Sequence, residues 1–222
     1  MTNRPVALVT GATRGIGRAI AIELSSTHRI LVGGRDAARA GELVAELDDA
    51  APFVCDLADE DAVAAACAGI GRLDVLVHSA GIGRSNDIGL ASRALWREVF
   101  ETNVFAVADL TRLLLPALEA ARGIVVAINS GAGFFSSPGG GVYAGSKFAL
   151  RALTDALREE MRGKVRVCSI HPGRTDTDMQ RELQAAMGNE HYNGSCYVSP
   201  GSVAAAVRLA VDTPDNATIE QL

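Results

Sequence analysis

The stretch "VALVTGATRGIGRAIAIEL" (residues 6–24) runs from a short apolar segment through three glycines into a segment patterned like a helix. Four consecutive apolar residues suit a strand buried on both faces. Gly11, Gly15 and Gly17 allow positive φ and let a ligand approach the backbone closely. The first amides of the following helix, with its dipole, favour a phosphate at that turn. Thr13, Arg14 and Ile16 lie between or beside the glycines and are expected at the same ligand. The spacing is Gly-x3-Gly-x-Gly, which differs from the more frequent GxGxxG fingerprint.

Outward from this stretch, similar apolar runs recur: "RILVG" (29–33), "PFVCD" (52–56), "DVLVH" (74–78), "IVVAIN" (124–129), "VRVCSI" (165–170) and "ATIEQL" (217–222). Longer segments rich in Ala, Leu, Arg and Glu separate them, with apolar residues at helical spacing, as in Leu150, Leu153, Leu157 and Met161. Continuous apolar strands alternating with helices imply a parallel sheet covered on both faces. The expected class is therefore α/β, a Rossmann-like doubly wound sheet of about seven strands. No linker, repeat or low-complexity segment interrupts the pattern, so residues 1–222 are expected to form one domain.

The composition is consistent with this. The 222 residues are 48% hydrophobic, with a mean hydropathy of +0.18. A net charge of −5 and a pI near 5.4 argue against nucleic acid, which calls for a clustered basic surface. No run of about 18 apolar residues exists to span a membrane, and the first residues do not read as a secretion signal. Cys55, Cys67, Cys168 and Cys196 show no CxxC spacing and no paired histidines, so no metal site is expected. They read as reduced thiols of a cytoplasmic protein.

In doubly wound sheets, ligands bind beyond the carboxyl ends of the strands. After the second run comes "GRD", with Gly34 and Arg35 where an acidic residue would accept hydrogen bonds from an adenosine ribose. An arginine there accommodates a 2′-phosphate, and Arg14 offers a second cation. Together they favour NADP(H) over NAD(H). The third run ends in Asp56-Leu57; Asp56 can bond the adenine amino group or cap the helix starting near Asp59, and both readings stand. After the fourth run, Ser79, Ala80 and Gly81 leave room for a flat ring against the backbone.

"TGATRGIG", "SAG" (79–81), Asn103 in "ETNVFAV", Ser130 in "INSGAG", "YAGSK" (143–147) and "HPGRTDT" (171–177) occur in that order, and Tyr143 follows Ser130 by 13 residues. In these motifs the chain resembles the short-chain dehydrogenase/reductase family over nearly its whole length. The resemblance implies an oxidoreductase passing hydride between NADP(H) and a carbonyl or secondary alcohol substrate. Its catalytic residues would be Asn103, Ser130, Tyr143 and Lys147. It also implies that Tyr143, Lys147, Pro172, Gly173, Thr175 and Thr177 contact the cofactor, with Thr177 at the nicotinamide carboxamide. Two positions depart from the family: Thr175 replaces an aliphatic residue, and Ser79 stands where asparagine is more frequent.

The chemistry of the residues agrees. A ketone needs a proton on oxygen as hydride reaches its carbon, and a free tyrosine with a pKa near 10 sheds its proton poorly at neutral pH. Lys147, one helical turn from Tyr143, shares its face, and its ammonium is expected to stabilise the tyrosinate and lower that pKa. Burial and the cofactor's own positive charge are expected to help supply that shift. Ser130, at a strand end, is placed to polarise the substrate carbonyl. By resemblance, Asn103 anchors a water linking Lys147 to solvent. His78 and His171 read as strand-end histidines with satisfied bonds rather than catalysts.

Residues 174–199 are expected to form a short lid, with Tyr192, Met179 and Phe134 as candidate pocket residues. Small residues on the helix expected over 142–162 (Ala144, Gly145, Ala149, Ala152, Ala156) suit close packing against a second copy, so a homodimer or homotetramer is expected. The alternative function is a non-catalytic NADP(H)-binding sensor or scaffold of the same fold.

Overall fold

The computed structural model describes residues 4–186, 188–189, 191–214 and 216–222. Six parallel strands form one sheet in the order β3-β2-β1-β4-β5-β6: β1 (Val6–Val9), β2 (Arg29–Gly34), β3 (Ala50–Val54), β4 (Val75–His78), β5 (Ile124–Ile128) and β6 (Arg166–Ile170). β1 lies between β2 and β4, so the winding reverses at its β4 edge. That edge is the switch point at which such sheets open a crevice.

Two cores sandwich the sheet. On one face, α1 (Gly15–Ser25), α2 (Ala37–Glu46) and α8 (Pro200–Asp212) bury Ile20, Leu24, Leu43, Val207 and Val211 against Val9, Val32, Val77 and Val126. On the other, α3 (Glu60–Cys67), α5 (Ala106–Ala121) and α6 (Gly141–Glu160) bury Val63, Leu110, Leu114, Leu118 and Leu157 against Leu8, Leu76, Val125 and Val167. Alternate strand residues thus supply opposite cores, which is why the strands read as unbroken apolar runs. Two shorter helices, α4 (Arg93–Phe100) and α7 (Asp178–Ala186), flank the carboxyl ends of the strands.

The seventh apolar run does not become a strand. Residues 217–222 meet β6 through a single bridge between Ser169 and Gln221. Three backbone bonds accompany it: Ser169 N–H to Glu220 O, Leu222 N–H to Ser169 O and His171 N–H to Leu222 O. Only Ile219 of this segment packs on the core, and its neighbours are exposed. The apolar residues of "ATIEQL" therefore provide too little burial to extend the ladder. Six strands replace the expected seven.

Burial orders the sequence-predicted helix face differently as well. Leu150 and Leu157 are buried on α6, but Thr154 and Arg158 occupy the same inner face. Thr154 Oγ1 bonds Ser169 Oγ (2.8 Å), and Arg158 Nε donates to Val167 O (3.1 Å). The helices on this face therefore meet the sheet partly through polar groups, each with a partner.

Leu76, fully buried, pairs with Leu8 on one side and Val125 on the other. Leu76→Ala is expected to lower the unfolding free energy by about 2–5 kcal/mol, read by denaturant unfolding at unchanged m. Ile22→Ala on the exposed side of α1 should cost less than about 1 kcal/mol.

Candidate active site

A cleft of about 520 Å³ opens beyond the carboxyl ends of β1, β2, β3 and β4. Gly11, Thr13, Arg14, Gly15, Ile16 and Gly17 line it, with Arg35, Asp56, Leu57, Ser79, Ala80, Gly81 and Thr177. Most of the residues expected at a nucleotide thus line one cleft, whereas Tyr143, Lys147, Pro172, Gly173 and Thr175 are not among its lining. The glycines are required by shape: a Cβ at Gly17 would overlap the Gly11 carbonyl, and Gly11 and Gly15 hold φ of +63° and +54°. Gly34 is equally constrained, since its Cβ would come within 2.8 Å of Thr13 Cγ2.

α1 begins without a capping side chain and without an acidic residue in its first turn. By contrast, Asp36, Asp59, Ser92 and Ser199 cap α2, α3, α4 and α8. The first N–H groups of α1 are left for a ligand in the cleft, and an anion is what they favour. At the other end of the cleft stand Arg35 and Arg39. The donor set (uncapped amides, arginines and a glycine cradle) fits a dinucleotide carrying an additional phosphate.

Asp36 and Arg39, both on the cleft, escaped the sequence reading. Asp36, directly after Arg35, could have competed for a ribose. Its Oδ1 instead accepts from the N–H groups of Ala38 (3.0 Å) and Arg39 (3.2 Å), and Arg39 Nε lies 3.5 Å from Oδ2. The signal was present, because Asp before a helical "AARA" is a cap. Asp56 combines its alternatives differently from either expectation: it lines the cleft while Oδ1 accepts from Ala58 N–H, and Asp59 caps α3.

Thr10 closes the floor of the crevice. Its hydroxyl accepts from Ser79 N–H and Ala80 N–H, each at 3.1 Å, and lies 3.3 Å from Val77 O as donor. The glycine turn and the Ser79–Gly81 segment are thereby locked together. Gly81 links the cleft to the inner residues: a Cβ there would sit 3.2 Å from Asn103 Oδ1 and 4.0 Å from Lys147 Nζ.

Asn103 lies in a π-helical turn, Glu101–Phe105, between α4 and α5. Such turns re-aim a side chain inside a continuous helix. Its Oδ1 accepts from Ile82 N–H (2.9 Å), and Nδ2 donates to Ile82 O (3.0 Å) and Ser146 Oγ (3.0 Å). Ser146, inside "YAGSK", escaped notice in the sequence; its own proton goes to Tyr143 O (2.7 Å). Asn103 thus fastens the segment after β4 to α6.

Lys147 is buried, with Nζ donating to Ile128 O (3.0 Å) and lying 5.7 Å from the centre of the Tyr143 ring. Burial pushes its pKa down to about 8. The Tyr143 phenol moves up, not down as expected: burial raises it, and the neighbouring Ser130 hydroxyl opposes that rise. The correction is physical. Burial penalises the charged phenolate, so it cannot assist the lowering that Lys147 was expected to produce. Ser130 caps the turn Gly131–Gly133, with Oγ accepting from Ala132 N–H (3.1 Å), and its hydroxyl meets the Tyr143 phenol.

Other predicted residues lie apart from the cleft wall. Thr175 is buried, with Oγ1 donating to Gly173 O (3.1 Å); Pro172 O accepts from Gly131 N–H (3.1 Å), and Gly173 is exposed. His78 bonds Thr111 Oγ1 (2.9 Å), and since the Thr111 proton goes to Val107 O (2.7 Å), His78 Nε2 carries the hydrogen. Burial pushes its pKa down to about 4, leaving it neutral. Cys67 and Cys168 are buried free thiols, both pushed up to about 11 chiefly by burial, so neither is a nucleophile near neutrality.

Within 174–199, Met187 and Glu190 lie outside the described residues. Met179 lines the cleft, and with Leu183 it rests on Gly83, where a Cβ would meet Sδ at 3.3 Å. Tyr192 donates to Asp176 Oδ1 (2.8 Å) and stacks on Tyr197, while the Phe134 and His171 rings meet at a tilt, their centres 4.4 Å apart.

The sequence profile of the short chain dehydrogenases matches residues 5–188. The chain belongs to that family. It is 33% identical over 229 residues to the serine 3-dehydrogenase of Agrobacterium fabrum, covering 97% of this chain and 91% of the relative. The alcohol dehydrogenase of the archaeon Thermococcus sibiricus, solved with 5-hydroxy-NADP, shares the fold at a TM-score of 0.90 and 27% identity, over 99% of this chain and 95% of that one. A metagenomic short-chain oxidoreductase solved with NADP gives a TM-score of 0.82 and 33% identity, over 98% and 95%. Among the described residues no helix is long and apolar enough to cross a membrane.

The buried ammonium of Lys147 has a measurable signature. Its pKa falls from 10.5 unfolded to about 8 folded, so between those values the unfolded chain binds the extra proton. Stability therefore rises with pH across that window. Lys147→Met removes this dependence, and the stability of the variant relative to the parent should decline by about 3 kcal/mol between pH 7.5 and 10.5. Parallel denaturant unfolding of both proteins across that range measures it, and a constant difference would refute the buried charge.

Proposed function

We propose that the protein is an NADP(H)-dependent carbonyl reductase or secondary alcohol dehydrogenase in which Tyr143 is the acid/base. The observation that carries this reading is the grouping of Ser130, Tyr143 and Lys147: the Ser130 hydroxyl meets the Tyr143 phenol, and Lys147 Nζ lies 5.7 Å from the centre of the Tyr143 ring and 4.0 Å from a Cβ built on the cleft residue Gly81. Arg35 and Arg39, with Arg14 in the turn, suit the 2′-phosphate of NADP(H). The diversion of Asp36 into a helix cap removes the carboxylate that would oppose it. When bound, the cofactor supplies or accepts the hydride.

In the reducing direction, Tyr143 gives its proton to the ketone oxygen while the Ser130 hydroxyl donates a hydrogen bond to the same atom. The raised Tyr143 pKa keeps the phenol protonated at neutral pH, the form that reduction needs. The Lys147 ammonium then stabilises the phenolate left behind, and Ile128 O fixes where that charge sits. Alcohol oxidation starts from the deprotonated phenol and should gain rate toward alkaline pH. The residues named by resemblance for the nicotinamide end, Pro172, Gly173, Thr175 and Thr177, would act through Thr177, the one of them on the cleft wall. Residues 174–199 would close over this end as a lid, and residues 1–222 would act as a single domain.

A homo-oligomer also fits, though on fewer residues than expected: Ala152 and Ala156 are exposed on α6 beside Phe148, whereas Ala144 is buried and Gly145 faces Trp96 of the same chain. Sedimentation at micromolar concentration tests that reading, and a monomer refutes it.

Parallel fluorescence titrations with NADPH and NADH test the cofactor, followed by NADPH oxidation over a panel of ketones. Tyr143→Phe should retain NADPH binding within about threefold and lose about 10³-fold or more in turnover. Cofactor binding without turnover of any carbonyl would favour the sensor reading, and failure to bind either cofactor would remove both. Arg35→Asp should weaken NADPH binding by about 10- to 100-fold and NADH binding far less. Equal losses would overturn the role of Arg35.

A further inference from the structure

Behind Ser130 lies a corner of the interior that the proposed chemistry does not use. Asn129, immediately before Ser130, is 4% exposed, and neither its Oδ1 nor its Nδ2 has a hydrogen-bond partner among the described residues. His171 Nε2 is buried and lacks one too. Interiors rarely leave polar groups in this condition without an ordered water or a functional reason.

The register places the two side chains together. Ile128 pairs with Ile170, and Asn129 N–H donates to Ile170 O (2.7 Å), so the alignment continues by one residue to Asn129 beside His171. Ile128 and Ile170 point into the core formed by α1 and α8, so the next residues point to the opposite face, toward α6. The surroundings agree. A Cβ on Gly133 would lie 3.0 Å from Asn129 Oδ1 and 3.1 Å from Lys147 O, and the His171 ring meets the Phe134 ring at a tilt.

The protonation states follow from the bonds. His171 Nδ1 lies 3.2 Å from Ser130 O, a carbonyl that can only accept, so Nδ1 carries the hydrogen. Burial keeps the ring neutral by pushing its pKa down. Nε2 is therefore a bare acceptor, and Asn129 Nδ2 is a bare donor on the neighbouring strand at the same register position. An unpaired donor and an unpaired acceptor so placed suit one bridging water.

We propose that Asn129 and His171 hold an ordered water between them and act as positioning residues for Ser130. His171 grips the Ser130 carbonyl through Nδ1, the water fixes His171 through Nε2, and Asn129 fixes the water. The Ser130 hydroxyl is thereby held in register with Tyr143. A catalytic hydroxyl displaced by about an ångström loses much of its effect. The kinetic consequence rests on the reductase reading given above; the water itself does not.

The test has two arms. A crystal structure of the unliganded protein at about 1.5 Å or better should show a water within hydrogen-bonding distance of Asn129 Nδ2 and His171 Nε2. In Asn129→Leu that water should be lost and Ser130 Oγ displaced. A dry corner, or a direct contact between Asn129 and His171, overturns the proposal. In the kinetic arm, Asn129→Leu and His171→Phe should each lower kcat about tenfold with the NADPH Kd within about twofold, and the double variant should be no slower than the worse single. A wild-type kcat in Asn129→Leu, or losses that multiply in the double variant, also overturns it. If Asn129→Leu fails to fold, Asn129→Ser, which leaves room for the water, should retain near-parental kcat; loss of the water in its crystal structure counts against the proposal. If the parent protein turns over no carbonyl, the functional reading fails, and the crystallographic arm still decides the water and the placement of Ser130.

Discussion

The site depends on the hydroxyl of Thr10. At the reversal of winding, β1 and β4 must diverge to form a crevice, and divergence leaves the backbone groups beyond their ends without ladder partners. A single oxygen accepts from both Ser79 and Ala80, which joins the loop after β4 to the glycine turn after β1. Gly11 then passes so close to Ala80 that a Cβ on it would lie 2.8 Å from the Ala80 Cα. The crevice is therefore bounded by backbone on two sides, and its width is set by residues that have almost no side chain. A methyl group at any of these contacts would move one strand end relative to the other.

The second demand is a cation in a place where cations are unfavourable. Among the described residues Lys147 is buried without a carboxylate partner, and its ammonium donates to the Ile128 carbonyl. Desolvation accordingly lowers its pKa to about 8. The polar pairs of this region, His78 with Thr111, Asn103 with Ser146 and Thr154 with Ser169, bring dipoles and no further charge. A negative phenolate on Tyr143 would offset that desolvation, and the same phenolate is disfavoured without the lysine. Tyrosine and lysine are thus each unstable as ions alone, and the pair is poised to respond to charge arriving in the cleft.

How much of this was legible in the sequence follows from which interactions are local. The central strands were readable because both of their faces are buried, giving unbroken apolar runs, and the edge strand β3 was readable from its apolar residues although only Phe53 of it is buried. "ATIEQL" looked the same over six letters, but its burial depended on what lay beside it, and only Ile219 found a core. The glycine turn and the Tyr143–Lys147 spacing were legible because backbone geometry alone enforces them. Asn103 was marked in the sequence, whereas its anchoring to Ile82 was not, because a π-helical turn between two helices leaves no compositional trace. The direction of the Tyr143 shift was misread for a related reason: spacing shows that a lysine is near, and only packing shows how little water remains.

Asp36 illustrates how a local preference can set a distant choice. A carboxylate one residue after Arg35 would ordinarily blunt the attraction of that arginine for a phosphate. Here the carboxylate has two backbone N–H donors and a guanidinium within reach, all from the first turn of α2. Turning it toward a ribose would leave those amides unsatisfied, at a cost of about 1 kcal/mol, typical of a lost N-cap. The same turn contributes Arg39 to the cleft, so the cap that withdraws the negative charge also orients a positive one. In the reading proposed above, cofactor preference is in this sense a property of a helix start: the residues that begin α2 cap the helix and would bias the cleft toward the more highly phosphorylated ligand.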